Sequence, residues 1–467
     1  NRNTAVGFQA LYSHTTGSGT DSYNTAIGYV AGGAITTGTN NTIMGGLAAD
    51  ALTIGHNNIA IGYKALSTSV DGDYNVAIGY AALEDYEDGD GNGHNTAIGS
   101  SSQTNASTGE FNTSLGSLSM GVGVTIGDYN TALGAEAGKA LTSGGLNTLV
   151  GGKAGDALTT GSSNTAVGYR ALTTEDGHGR NTALGHEALA TLNAGADAHN
   201  TAVGYQAGTA MTTGVQNTIM GGLAGDALTT GSSNVCIGYN SGGTLSTGES
   251  NVAIGLNALD GEDTGSKNVA IGQSALGALN YDGNGYNVAV GHDAGKAVTT
   301  GVQNTLIGGV AGDALTTGTR NIAIGFSALS SEDTGGRNVA VGRSALGSLD
   351  AGQDGYNVAI GDDAGAAMLT GVQNTIIGGL AGDALTSGDN NVVMGYLALS
   401  SETLGDRSVA IGNFALQNQN NTSDTDVYNV AIGYDAGNDI TTGVRNTLIG
   451  GLAGDAITTG GDNVSLG

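Results

Sequence analysis

Proline and tryptophan are absent from these 467 residues, phenylalanine occurs four times and cysteine once. Each scarcity removes a class of structure. With few bulky aromatics and 86 Gly, a thick globular core is out of reach, so any core is thin, with backbones close together and small side chains between them. Without Pro, nothing interrupts backbone hydrogen-bond donation along a sheet. The single Cys236 rules out an intrachain disulfide framework and leaves the compartment open. Cations are scarce as well: 13 Lys and Arg against 41 acidic residues give a formal net charge of -28. Such a surface repels phosphate backbones and anionic lipid, which makes nucleic acid and membrane surfaces poor partners. No apolar run reaches spanning length, so no transmembrane helix and no membrane insertion are expected.

What is abundant is repetition. The phrase "NTLIGGLAGDAITTGGD" (Asn446 to Asp462) returns almost unchanged at Asn147, Asn217, Asn304 and Asn374. Aligning the chain on its Asn-x-x-x-Gly pentads places 27 anchors between Asn3 and Asn463, all Asn except Ser408. Most intervals are 17 residues, and six run from 19 to 21. A fixed short period marks a solenoid in which each repeat is one coil stacked on the next. The β-branched residues cluster in the first pentad, and Gly at places five and fifteen punctuates the unit too often for a useful helix. The expectation is an all-β fold, a parallel β-roll or β-solenoid of about 27 coils over 1–467, read as a single continuous repeat region. Each coil would carry two short strands and two tight turns, stacking in parallel register into a rod on the order of 125 Å long. The anchor Asn residues would form a hydrogen-bonded ladder up the stack, as framework and not as catalysts.

A strand of an isolated solenoid should alternate apolar and polar residues. Here "NVAIG", "NTLIG" and "NTIIG" are apolar on both faces. Ile271, Ile324 and Ile411 would point one way, and Ala270, Ala323, Ala410, Leu306 and Ile376 the other. Both faces are therefore expected to be buried, one inside the coil and one against a partner, most simply an identical chain.

The pentads resemble the left-handed parallel β-roll heads of trimeric autotransporter adhesins (YadA-like). "NTAVGFQALYSHTTG" (Asn3 to Gly17), "NTAVGYQAG" (Asn200 to Gly208) and "NIAIGYKAL" (Asn58 to Leu66) are similar to the repeat shafts of phage tail-fibre and related surface-fibre proteins, many of which end in an endosialidase-type chaperone. The resemblance spans the whole chain and implies a left-handed homotrimer. It also implies an extracellular location, as a virion tail fibre or a cell-surface filament. The chain starts and stops within the pattern, and is read as the ordered part of a longer fibre.

A second period lies above the first. Coils recur in four-coil blocks, such as 287–356 and 357–428, whose longer intervals place extra residues at one corner: "LNYDGNGYN" (Leu279 to Asn287), "LDAGQDGYN" (Leu349 to Asn357) and "LQNQNNTSDTDVYN" (Leu416 to Asn429). Insertions confined to one edge are where a solenoid keeps its binding surface. Asp282, Asn284 and Tyr286, Asp354 and Tyr356, and Asp426 and Tyr428 are the candidate contacts to host-surface glycans, with Tyr rings either stacking on sugars or covering the adjacent coil. Tyr23, Tyr74 and Tyr129 hold the same pre-anchor place. Lys139 with Asp156 and Lys296 with Asp313 lie one coil apart, and are expected to pair across neighbouring rungs.

Chemistry is thinly represented. The seven His are scattered, Cys236 stands where other coils have Ala, and no nucleophile triad or carboxylate pair can be singled out, so no enzymatic activity is expected. "DGDGNG" matches the first half of a calcium loop, with Asp88, Asp90 and Asn92 as oxygen ligands, while Gly99 stands where the bidentate Glu belongs. Ca2+ is the one cofactor this suggests. Two rival readings remain: a monomeric ice-binding solenoid, prompted by the Thr pairs of "TTG", and a polysaccharide depolymerase fibre.

Overall fold

The computed structural model describes residues 2–15, 21–87 and 93–467, which divide into two compact units, Asn1–Ser233 and Asn234–Gly467. The first unit holds thirteen three-residue strands, from Thr4–Val6 to Thr218–Met220, and the second fourteen, from Val235–Ile237 to Val464–Leu466. Each strand begins one residue after an anchor, so the sequence ruler is the strand ruler. Within each unit neighbouring coils pair in parallel with identical places opposite one another. Thr165, Ala166 and Val167 face Thr182, Ala183 and Leu184 in the first; Val252, Ala253 and Ile254 face Val269, Ala270 and Ile271 in the second. No helix occurs among the described residues, and no helix is long and apolar enough to cross a membrane.

One strand per coil, not two, is the first correction to the sequence reading. Among the described residues, a second strand pair is formed by Gly405–Asp406 with Thr425–Asp426, and Ser266 makes an isolated parallel bridge with Asn284. The rest of the coil bends because places seven, nine and seventeen take left-handed backbone conformations, as at Ser327 (φ 53°), Leu329 (φ 53°) and Arg337 (φ 61°). A non-Gly residue there costs about 1 kcal/mol. The compensation is visible at the same residues. Their N–H groups donate to neighbouring coils, Ser327 to Gly309 O at 3.1 Å, Leu329 to Ala345 O at 3.0 Å and Arg337 to Thr319 O at 3.0 Å. At place five the bend is sharper, with φ between 128° and 146° from Gly7 to Gly450, and only Gly fits.

The core is as thin as the composition requires. It is built from the strand's middle residue, the Ala at place eight, and places nine and twelve. Places three and nine are filled differently from coil to coil. Coils such as that of Asn321 put Ala323 at place three and Leu329 at place nine, both fully buried. The coil of Asn304 reverses the choice, with buried Leu306 at place three and Gly312 at place nine, where an added Cβ would lie 2.8 Å from Leu306 Cδ2. Coils such as that of Asn287 are small at both places, Ala289 and Gly295, and large side chains of the neighbouring coils take up the room: an added Cβ at Gly295 would lie 2.5 Å from Leu306 Cδ1 and 3.1 Å from Leu276 Cδ2.

The anchor residues form the expected ladder, buried from Asn24 to Asn446. Asn321 Nδ2 donates across its own coil to Gly335 O at 2.9 Å, and its Oδ1 accepts the N–H of Asn338 at 3.0 Å. Ser408 is too short to bridge its coil. Gln419, buried where Leu is usual, supplies the missing amide: its Nε2 donates to Ser408 Oγ at 3.1 Å and its Oε1 accepts from Asn429 Nδ2 at 2.8 Å.

Candidate functional site

Two surfaces stand out, the outer face of the strands and the corner carrying the longer loops. On the strand, period two sends the middle residue inward and its neighbours outward. Ala270, Ala323, Ala410, Leu306 and Ile376 are fully buried. The opposite row is not covered by the chain itself. Ile271, Ile324 and Ile411 are half-buried, while Ile307, Ile360, Ile432, Ile449 and Met394 are 37–41% exposed. The second face is thus open in the single chain, a repeated row of aliphatic side chains without a charge among them. Exposed rings at place six lie beside it, with Phe8 and Tyr29 stacked at 5.5 Å and Tyr63 and Tyr80 at 5.8 Å.

At the corner, each candidate Tyr meets a cation from the coil before. Lys267 Nζ lies 5.4 Å from the ring centre of Tyr286 and donates to its hydroxyl at 3.4 Å. The Arg337 guanidinium sits 5.1 Å from the Tyr356 ring centre, donates to its hydroxyl, and places Nε 3.3 Å from Asp354. Arg407 covers Tyr428 at 5.7 Å and is ion-paired with Asp426, which also accepts the Tyr428 hydroxyl at 3.3 Å. Asp282 accepts from Thr264 Oγ1 at 2.9 Å, and Asn284 forms a parallel bridge with Ser266. The structure therefore brings the Asp–Tyr pairs that close the blocks 287–356 and 357–428 together around an arginine, and one face of each ring is already covered. In the first unit the same column stacks Tyr74, His94, Phe111 and Tyr129, with ring centres 4.8, 5.0 and 5.0 Å apart. Covering the adjacent coil is the role the contacts display.

Other sequence expectations fall differently. Lys139 pairs with Glu136 at 3.0 Å and Lys296 with Asp293 at 3.3 Å, each within its own coil, so Asp156 and Asp313 are not their partners. A carboxylate three residues back on the same tight turn is nearer than one on the next rung. Cys236 is fully buried, and burial pushes its thiol up to about 12. Asp88, Asp90 and Asn92, the calcium candidates, lie outside the described residues. The Thr pairs of "TTG" turn hydroxyls back into the stack: Thr159 Oγ1 donates to Asp176 O at 2.7 Å, and Thr316 Oγ1 to Asp333 O at 3.0 Å.

Sequence reasoning missed four buried glutamates. Glu175, Glu262, Glu332 and Glu402 occupy place twelve, where Leu is usual, each in the coil before a longer one. Their carboxylates clamp both coils. Glu332 Oε1 accepts from Gly335 N at 2.6 Å, and Oε2 from Ala351 N in the following loop at 3.1 Å. Glu262 does the same with Gly265 at 2.8 Å and Tyr281 at 3.4 Å, and Glu175 reaches Ala194 at 3.4 Å. Alignment on place twelve would have revealed them, but "SSEDTG" reads as an ordinary acidic turn. Glu332 with Asp333 and Asp350, and Glu175 with Asp176 and His178, bring oxygen and nitrogen ligand atoms within 4.8 Å, a donor set suited to a hard cation.

Burial pushes several carboxyls above their usual range, among them Glu262, Glu332, Asp260, Asp313, Asp383 and Asp406; their backbone or side-chain hydrogen bonds offset this in part. A carboxyl raised in the folded state binds its proton more tightly there than in the unfolded chain. Stability is then greatest below the unfolded value, about 4, and is lost as pH rises through the raised folded values. The thermal midpoint is therefore expected to rise on acidification from pH 7 to about 4.5. A monotonic fall across that range, followed by circular dichroism, would show that the buried carboxyls do not govern the pH response.

The geometry displays stacking, clamping and an open apolar face, and among the described residues it assembles no nucleophile, base and orienting partner. No protein-family model matches this chain, and comparison with curated proteins finds no match either.

Proposed function

We propose that this chain is the shaft or head segment of an extracellular fibre, a left-handed β-roll homotrimer of the kind found in phage tail fibres or bacterial surface adhesins. Its work is mechanical. Stacked coils hold a binding element away from the particle or cell, and acidic corner loops meet host-surface glycans. The observation that carries the reading is the open strand face. A chain with a net charge of -28 keeps an uncharged aliphatic row at the same place in coil after coil. Rows of this kind, exposed over many coils, are costly in water and mark association surfaces.

Absolute mass by light scattering on a sizing column tests the assembly. About three times the chain mass of 45.6 kDa is expected at micromolar concentration. A mass of one chain at every concentration would remove the support for a fibre, because the open face would then be a solvated surface.

A further inference from the structure

The outer face is not uniform along the chain. Of the two outward residues of each strand, the fourth of the coil is aliphatic in both units, but the second differs. In the first unit it is Thr in eleven of thirteen strands, Ile59 and Val76 being the exceptions. In the second unit it is Thr in three of fourteen, Thr305, Thr375 and Thr447, and Val or Ile in the other eleven. Thr and Val have nearly the same shape, so the coil packs equally well around either. They differ in what burial against a partner costs, because each Thr hydroxyl must find a hydrogen bond or lose its water uncompensated.

We infer that the second unit, Asn234–Gly467, carries the association of copies, and that the Thr-bearing face of the first unit is the weaker and more hydrated stretch. This rests on the reading of the strand face as a subunit interface. The occupant is a second copy of this chain, for two reasons. The first is area: fourteen rows of two half-exposed side chains offer on the order of 1,500 Å2 per copy, above the roughly 800 Å2 per partner of a stable interface. The second is charge. Copies with a net charge of -28 repel each other wherever acidic residues face, so they approach at least cost along the one strip where places two and four are uncharged. Identical coil spacing then keeps every uncharged row against another over the whole unit. A surface with a different repeat would slide charged or polar places into register within a few coils.

The test uses the full chain and shape-conserving exchanges. One variant carries Val269→Thr, Val288→Thr, Val339→Thr and Val358→Thr in the second unit. The other carries Thr165→Val, Thr182→Val, Thr201→Val and Thr218→Val in the first. Sedimentation over a concentration series in dilute guanidinium chloride gives the dissociation constant of each, and circular dichroism confirms that each remains folded. The first variant is expected to weaken association by on the order of a hundredfold, four newly buried hydroxyls acting together, and the second to tighten it. An oligomeric parent whose constant is unmoved by the Val→Thr set would overturn the assignment to the second unit while leaving the interface reading in place. So would equal weakening by Thr→Ser exchanges at the same four places of the first unit. A parent that is monomeric throughout the series would overturn the interface reading itself.

Discussion

Replacing Gly342 with alanine is expected to destabilise the second unit by about 3 kcal/mol or more, a large effect for a single methyl group. Gly342 holds φ at 139°, and a Cβ built there would lie 2.1 Å from the carbonyl oxygen of Gly361, its counterpart one coil on. Neither the torsion nor the contact can relax alone, since Gly342 also donates to Ile324 O at 2.8 Å and the same geometry recurs on both sides. Gly352 is the control. Its φ is 62°, nothing lies within 4 Å of its would-be Cβ, and alanine there should cost only about 1 kcal/mol. Urea denaturation of the two variants compares them directly. Equal midpoints would mean that the glycine columns are not what sets the distance between coils.

Glu402→Leu should be nearly as damaging, although Leu is the usual residue at that place. Six groups donate to the Glu402 carboxylate. Thr403, Leu404, Gly405 and Asn421 give backbone N–H groups at 3.0, 3.1, 2.8 and 3.1 Å, and Gln419 Nε2 and Asn421 Nδ2 each lie at 2.8 Å. Removing the acceptor leaves buried donors unpaired, at about 1 to 3 kcal/mol each before relaxation, so a total cost of roughly 3 to 5 kcal/mol is expected. It also frees Gln419, the residue that substitutes for the missing anchor amide at Ser408. Amide hydrogen exchange should show lost protection at Gly405 and Asn421 together. Unchanged protection at Asn421 would mean that the loop is held by its own turn and not by the glutamate.

How much of this was legible beforehand depends on whether a place in the coil is filled by one residue type. The anchors are nearly all Asn and the bends at place five are Gly, so the ladder, the parallel register and the coil count could be read from spacing alone. The second strand was misread because the left-handed places are filled by Gln, Ser, Lys, Arg, Leu and Tyr. These residues carry no preference for positive φ, and the stacked hydrogen bonds of neighbouring coils impose it. The lysine pairs were misassigned because a one-dimensional ruler measures distance along the stack and not around the turn. At the corner, the sequence located Tyr286, Tyr356 and Tyr428 correctly at the base of the loops. It did not reveal that Lys267, Arg337 and Arg407 cover them, since that contact joins residues 19 or 21 apart with no motif between them. The open strand face was legible as an excess of apolar residues, and the structure adds which row is exposed.

The most direct measurement of the central claim, that this face is covered by other copies, is thiol reactivity at a cysteine placed on it. Cys236 is buried, with its thiol pushed up to about 12, and gives no background in the native protein; unfolded, it adds the same signal to both variants. Ile360, 40% exposed in the chain alone, is replaced as Ile360→Cys, and exposed Ser250 as Ser250→Cys for reference. In the native protein the thiol at 360 is expected to react with maleimide about a hundredfold more slowly than the thiol at 250, and at the same rate once both chains are unfolded. Comparable rates in the native protein would contradict the account, because the aliphatic row would then be facing water.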